Sequence, residues 1–393
     1  MASLFRRPRR RPSRRPRRLG AALALLGVLA VLVAGCAKFP ESGPRDWREK
    51  ITDGGQVEVP PGSPGEQGAP GGTPPPQQPP GEATGCVDPD PQVVATCLDP
   101  VGAIAVLPGG VAALVAERAT GRILRVERGV APVLVTTVPV QAAGGGGLTG
   151  LVLSPAFDED QLVYAYASTP GDNRVLRIAP GEPPKPVLAG IPRGGTNNGG
   201  ALAVDREGAL LVATGNAGTA AAPTSLAGKL LRIDTLGRPA QGNPDPASAV
   251  LSSGLNAPGG ICNDPLSRTS WITDRLADRD VLYRAQPGPL GAPAWSWPAR
   301  PGVAGCVAGP GLVAIAQAGA ALLYVLRPAP SGGFTGEPEL LLTGVYGRLS
   351  AASRGPDGLV WLGTVNKGGG GAVVPSDDRV IRIQPPAGGG SRL

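Results

Sequence analysis

The stretch GGTNNGGALAVDREGALLVATGNAGTAAAPTSLAGKLLRID, residues 194–234, decides how the rest of the chain is read. It holds two strand-like runs, ALLVATG (209–215) and GKLLRI (228–233), with glycine-rich turns around them. Glu207-Gly208 stands where a tight hairpin needs a residue that tolerates positive φ. The second run recurs along the chain, as GRILRV (121–126), NRVLRI (173–178), RDVLYR (279–284), AALLYVL (320–326) and DRVIRI (378–383). Each alternates apolar and polar residues, as a half-buried strand must. Most follow another strand-like run: AALVAE (112–117), LVYAYAS (162–168), ALLVATG, SWITD (270–274) and LVWLGT (359–364). The spacings of about forty to sixty residues are those of propeller blades. No stretch sustains a helical period. Six repeats predict an all-β, six-bladed β-propeller of four-stranded antiparallel blades, with a β-sandwich of similar content as the alternative.

Composition bounds the function. The formal net charge is +7, but nine arginines lie within Arg6–Arg18 and no acid accompanies them. Removing those nine charges leaves about −2 for the rest, so the basic excess belongs to one N-terminal segment. A nucleic-acid role for the folded domain is rejected on that ground. From about Val101 onward there are roughly 285 residues, enough for one large β domain with its own core.

Residues 1–35 read as a secretory signal: a basic segment, then an apolar run from Leu19 to Val33 that is shorter than a membrane span. The run ends in Val33-Ala34-Gly35-Cys36, a lipobox-like sequence. Cys36 is then the expected lipidation site, and the protein is expected to be exported and held on the outer face of the cell membrane. An ordinary signal peptide or a membrane anchor with a chance cysteine is the alternative. Two arginines after Ser13 resemble a twin-arginine signal, although the hydrophobic residues that should follow are missing. Residues 36–85 form a Pro/Gly-rich tether, 86–100 an entry segment, 101–385 the propeller and 386–393 a disordered tail. Four cysteines remain after Cys36, and three pairings are possible. Cys86 and Cys97 are close in sequence, and Cys262 and Cys306 are expected in two later loops. The expected pairs are therefore Cys86–Cys97 and Cys262–Cys306. A cysteine metal site lacks a CxxC spacing and any histidine.

Several motifs resemble, in order, those of the glucose/sorbosone dehydrogenase family of soluble quinoproteins. ERATGRILRV (117–126) resembles its first-blade signature. GGGGLTGLVLSPAFDEDQLVYAYAS (144–168) resembles its Gly-Gly-Leu-Leu-Gly-Leu block and following strand. NGGALAVDREGALLVATGNAG (198–218), GKLLRIDTLGRPAQGNP (228–244) and GRLSAASRGPDGLVWLGT (347–364) resemble later segments. A narrower likeness, through the lipobox, the tether, the cysteines and PGVAGC (301–306), is to actinobacterial LppZ-type lipoproteins.

The resemblance implies oxidation of an aldose with hydride passing to pyrroloquinoline quinone (PQQ), assisted by calcium. Such chemistry needs a general base, a carboxylate that orients it, and cations for an acidic cofactor. Carried over position by position, the family's histidine falls at Asn197, its carboxylate at Asn216 and a loop arginine at Asn256. Arg348 aligns with a cofactor-contacting arginine. The chain has no histidine at all. Ser-His-Asp catalysis and His-ligated zinc are therefore excluded.

Other acids have plainer readings. Asp205 and Glu207 are expected to be solvated at a hairpin. Asp158, Glu159 and Asp160 read as a turn, or more weakly as calcium ligands. Glu117-Arg118 and Asp274-Arg275 follow strands, where they either line the channel mouth or form surface ion pairs. Gly144–Gly147 is not a phosphate loop, because neither a helix nor a Gly-Lys-Ser/Thr run follows.

No catalytic residue is assigned. The candidate ligand-binding residues are Glu117, Arg118, Asn197, Asn198, Asn216, Asn256, Asp274, Arg275 and Arg348. Three functions compete. The first is a lipid-anchored propeller that binds a sugar or cell-wall fragment without oxidising it. The second is a PQQ- and calcium-dependent dehydrogenase with an unconventional base. The third is an envelope scaffold that contacts another protein. A channel lined by polar side chains, with a pocket of ligand size, favours binding; a filled channel and an exposed apolar loop patch favour scaffolding.

Overall fold

In the computed structural model, which describes residues 86–219, 222–329, 333–369 and 373–385, the repeated runs become adjacent strands of six sheets. The signal segment 1–35, Cys36, the whole tether and the C-terminal tail lie outside the described residues.

Blade 1 is β2 (Val101–Val106), β3 (Ala112–Glu117), β4 (Arg122–Glu127) and β5 (Val130–Thr137). Blade 2 runs from Leu148–Leu153 to Lys185–Ile191, and blade 3 from Gly200–Val204 to Val250–Ser253. Blade 4 runs from Pro258–Asn263 to Trp295–Trp297, blade 5 from Val303–Gly309 to Phe334–Leu341. Blade 6 comprises Leu349–Arg354, Val360–Thr364 and Val380–Ile383, and its outermost strand is β1 (Val93–Ala95) from the start of the domain. All pairing within these four-stranded blades is antiparallel. Blade 3 gains a two-residue parallel edge from Gly288–Pro289, which the chain supplies while passing through blade 4. The architecture is the six-bladed propeller that the repeats predict.

Burial follows position within a blade. The second strands, such as β3 and Val163–Ser168, are buried along their whole length. They have neighbouring blades on both faces, so they read as continuous apolar runs rather than alternating ones. β4 alternates more, and β5 is exposed at nearly every position. The six innermost strands pack in a closed ring, blade 1 against blade 2 and so on to blade 6 against blade 1. Blades 1 and 4 therefore stand opposite each other.

The ring needs residues without side chains where innermost strands touch. A Cβ on Gly102 would lie 2.1 Å from the carbonyl oxygen of Leu148, and one on Gly305 would lie 2.4 Å from the backbone nitrogen of Ala352. Inside the ring is a cavity of about 800 Å³, lined by small residues and by valine, leucine and isoleucine of the innermost strands.

Residues 93–95 are an integral strand and not merely an entry to the domain. Leu98 and Asp378 exchange backbone hydrogen bonds beside this closure. Both expected disulfides form, Cys86–Cys97 flanking the closing strand and Cys262–Cys306 joining blades 4 and 5. Cys262 and Cys306 sit within innermost strands rather than in loops. A residue in either strand faces the neighbouring blade, which is where its partner lies.

Candidate functional site

Every second strand carries a buried polar residue at or next to its end, on the same side of the ring. These are Glu117, Ser168, Thr214, Asp274, Gln317 and Thr364, none more than 2 % exposed. A buried polar side chain must find a partner, and here most partners are in the loops of that face. Glu117 accepts the N–H of Asp99 at 3.0 Å, and Ser168 donates to the carbonyl of Asn198. Asp274 accepts the N–H of Asn256 at 2.8 Å and that of Ala257 at 2.6 Å. This polar layer fixes the loops that form one mouth of the channel.

Three of those loops bring Asn197, Asn216 and Asn256 together. Asn197 Nδ2 donates to Asn216 Oδ1 at 3.0 Å and reaches Asn256 Oδ1 at 3.4 Å. Asn216 Nδ2 donates to Asn256 Oδ1 at 2.7 Å. Asn256 Nδ2 donates in turn to the carbonyl of Arg275. Asn197 has φ of 54°, a left-handed conformation that asparagine tolerates better than most residues. Asn198 is buried, and its amide ties Gly144 and Gly194 together. The glycine-rich segment 144–147 is thereby a wall of the mouth, a role its sequence did not announce.

The acid–arginine pairs differ from their sequence reading. Glu117 is not paired with Arg118. It binds Arg122 at 2.6 Å and the hydroxyl of Thr120 at 2.7 Å. Glu117 is the last residue of its strand, and Asp274 and Arg275 are the last two of theirs, not residues after them. Burial pushes the carboxyl of Asp274 up to about 6, against the pull of the backbone N–H groups of Asn256 and Ala257. Both Asp274 oxygens face that backbone, so the carboxyl positions the Asn256 loop. Arg118 donates from Nε to the carbonyl of Gly146 at 3.0 Å. Its pKa is lowered by burial and then by the charge of Arg275; that of Arg275 is lowered by burial. Arg348 lies on the loop before blade 6, its backbone N–H bonded to Asn366 and its buried Nε without a hydrogen-bond partner.

Other acids sit elsewhere. Asp205 is not solvated: it pairs with Arg232 at 2.6 Å, each side chain 11 % exposed, whereas Glu207 is exposed. Phe157–Asp160 forms one helical turn, and Asp160 binds Ser154 and the N–H of Leu162. Among the described residues no group of three or more acidic, cysteine or histidine side chains is arranged to hold a metal ion. The large cavity reaches the opposite face, at Pro108, Ser154–Glu159 and Arg354–Pro356, and the asparagine cluster is not among its lining residues.

Known proteins share this fold. The model of the glucose/sorbosone dehydrogenase family matches residues 98–288. The PQQ-bound aldose sugar dehydrogenase of Streptomyces coelicolor is 31% identical, over 74% of this chain and 95% of that one, with a TM-score of 0.68. The chain belongs to the glucose/sorbosone dehydrogenase family. A putative oxidoreductase (glucose dehydrogenase) from Thermus thermophilus is similar at 30% identity, over 74% of this chain and 98% of that one, with a TM-score of 0.66. The aldose sugar dehydrogenase YliI of Escherichia coli K12 is 27% identical over 205 residues, 47% of this chain. That match spans about half, 55%, of the curated relative's length. Within the family fold, this chain places an amide triad at its channel mouth.

Proposed function

We propose that this family member binds a small polar ligand at the asparagine-lined mouth and does not oxidise it. The observation that carries the reading is the amide triad. Asn197, Asn216 and Asn256 hydrogen-bond to one another where the family resemblance calls for a base, a carboxylate and a cation. An amide cannot take a proton near neutral pH, but it donates and accepts, which suits sugar hydroxyls.

The residues at the mouth do not fit PQQ-dependent oxidation. The nearest titratable acid, Asp274, has both oxygens turned to backbone N–H groups. The relatives' aldose oxidation is therefore not carried to this chain. We also propose, from the sequence alone, that the chain is exported and anchored to the membrane through lipid on Cys36. A Cys36→Ala variant that stays in the membrane fraction would sink that part.

The decisive experiment titrates the protein with PQQ and calcium, then adds aldoses and an artificial electron acceptor. Saturable sugar binding without acceptor reduction is the expected outcome. Acceptor reduction would overturn the reading.

One observation favours a second reading, an envelope scaffold. β5, at the rim of blade 1, exposes Val130, Val133, Leu134 and Val135, each about half exposed. Replacing Val133 and Leu134 by serine would abolish capture of a partner on that edge and leave ligand binding intact.

A further inference from the structure

The channel inside the ring has a wall made largely of backbone. Each innermost strand is hydrogen-bonded only to the second strand of its own blade. Both of its side-chain faces are taken by neighbouring blades. In β2, Val101, Ile104 and Val106 cluster with Trp361 of blade 6, while Ala103 and Ala105 cluster with Leu148 and Leu151 of blade 2. Hydroxyl and amide side chains of the wall are also bonded from blade to blade. Thr149 accepts the N–H of Gly200 at 3.1 Å, Ser350 donates to the carbonyl of Val101 at 2.7 Å, and Asn263 donates to that of Val204 at 2.7 Å. What remains toward the axis is the free edge of each strand, with its unpaired N–H and C=O groups. Among the described residues no backbone hydrogen bond joins one innermost strand to the next. Backbone groups withdrawn from bulk solvent need partners, so six strand edges converge on the axis with bonds still to be made.

The passage has a defined shape. It begins one residue inside the asparagine mouth, at Gly102 and Thr149, and ends at the turns of the opposite face, at Pro108, Pro265 and Pro356. Six residues of strand make it about 20 Å long, so its volume of about 800 Å³ corresponds to a section on the order of 40 Å². That section suits one chain in single file. No charged side chain lines its length; Asp158, Glu159 and Arg354 stand exposed at the open end only. An ionic ligand would lose its water inside and meet no counter-charge, and an alkyl chain would leave the strand edges unpaired. A chain of uncharged sugar rings meets both conditions, because its hydroxyls donate and accept and so reproduce the bonds of the water they displace.

We propose that the channel is a second binding site, entered from the face opposite the asparagine mouth, for one end of a linear neutral oligosaccharide. The site is separate from the ligand site at the mouth and does not rest on that reading.

The test measures binding of the full chain to maltotetraose, cellotetraose, glucose and dodecanoate by calorimetry. At least one tetrasaccharide should bind tenfold or more tighter than glucose, with little dependence on salt. Its binding should protect amides in 101–108 and 148–154 from hydrogen exchange. Ala156→Trp and Pro265→Trp each place a large ring at an exposed position of the opening. Each should weaken the tetrasaccharide at least tenfold and leave the Tm and glucose binding at the mouth unchanged. Tetrasaccharides no tighter than glucose would overturn the site and leave a water-filled channel. Binding that survives both variants, with protection confined to 194–199 and 254–258, would put the chain at the mouth and overturn the proposal. Dodecanoate binding tighter than either tetrasaccharide would overturn the sugar class. Glucose reports on the mouth alone, so the two proposals fail independently.

Discussion

Asp274 should make this protein more stable as the pH falls, and its neighbours set the size of the effect. The carboxyl is fully buried under the Asn256 loop, and its pKa is raised from 3.8 to about 6. The folded state therefore binds the proton more tightly than the unfolded state. The resulting stabilisation is complete below the unfolded value and disappears as pH rises through about 6. At roughly 1.4 kcal/mol per tenfold, the difference is worth about 2.4 kcal/mol between pH 4 and pH 7.5. An Asp274→Asn variant cannot titrate at that position, so it isolates the effect from every other carboxylate. Urea unfolding followed by circular dichroism, at steps across that range, gives the difference between the two proteins. Wild type should gain about 2.4 kcal/mol on the variant as pH is lowered over that range. Parallel profiles would refute the argument, and a gain in the opposite direction would mean that the backbone N–H groups outweigh burial.

Gly305→Val should cost roughly 3 kcal/mol or prevent folding, because its side chain would run into the backbone of Ala352; thermal melting checks this. Replacing Cys262 and Cys306 together by serine should cost about 2–4 kcal/mol, since their bond links two blades across 44 residues of sequence. The loss should appear equally in reduced wild type. Asn256→Ala removes the acceptor shared by Asn197 and Asn216 and the donor to Arg275. It should cost roughly 3 kcal/mol for three hydrogen bonds at about 1 kcal/mol net each, and weaken every sugar ligand at the mouth alike in calorimetry.

The blades were legible because each repeat keeps a strand-like run at propeller spacing, as GKLLRI and DRVIRI do. What escaped the sequence was long-range. Nothing local distinguishes Val93–Ala95 as the strand that completes blade 6, for its partner Val380–Ile383 lies almost at the other end of the domain. Asp205 reads as a hairpin acid because its partner, Arg232, is two strands away in the same sheet. At the site, the three asparagines came from comparison with the family pattern, and the structure brings them into contact. Glu117 reads as a partner of Arg118 because the two are neighbours in sequence, whereas Arg122 meets it from the adjoining strand. The polar residue at or next to the end of each second strand was visible in AALVAE and SWITD. Its regularity acquires meaning only once all six ends share one face.

The amide triad also explains why restoring one residue should not restore a base. The Asn197 amide lies 3.0 Å from Asn216 Oδ1, so an imidazole at position 197 would meet another amide and no negative charge. Asn197→His alone should therefore titrate near the ordinary histidine value, about 6.5. Adding Asn216→Asp places a carboxylate against the ring, and the imidazole should then hold its proton ten- to hundredfold more tightly, on the order expected for an adjacent opposite charge. The protein contains no other histidine, so the ring protons give one resolvable NMR signal in each variant. Identical titrations in the single and double variants would mean that positions 197 and 216 do not face each other. With both positions changed, the pair would regain an oriented base, while Asn256 would still present an amide where the family pattern has a cation. Sugar oxidation should remain absent until that third position is changed as well, because the three side chains form one bonded unit and no one of them acts alone.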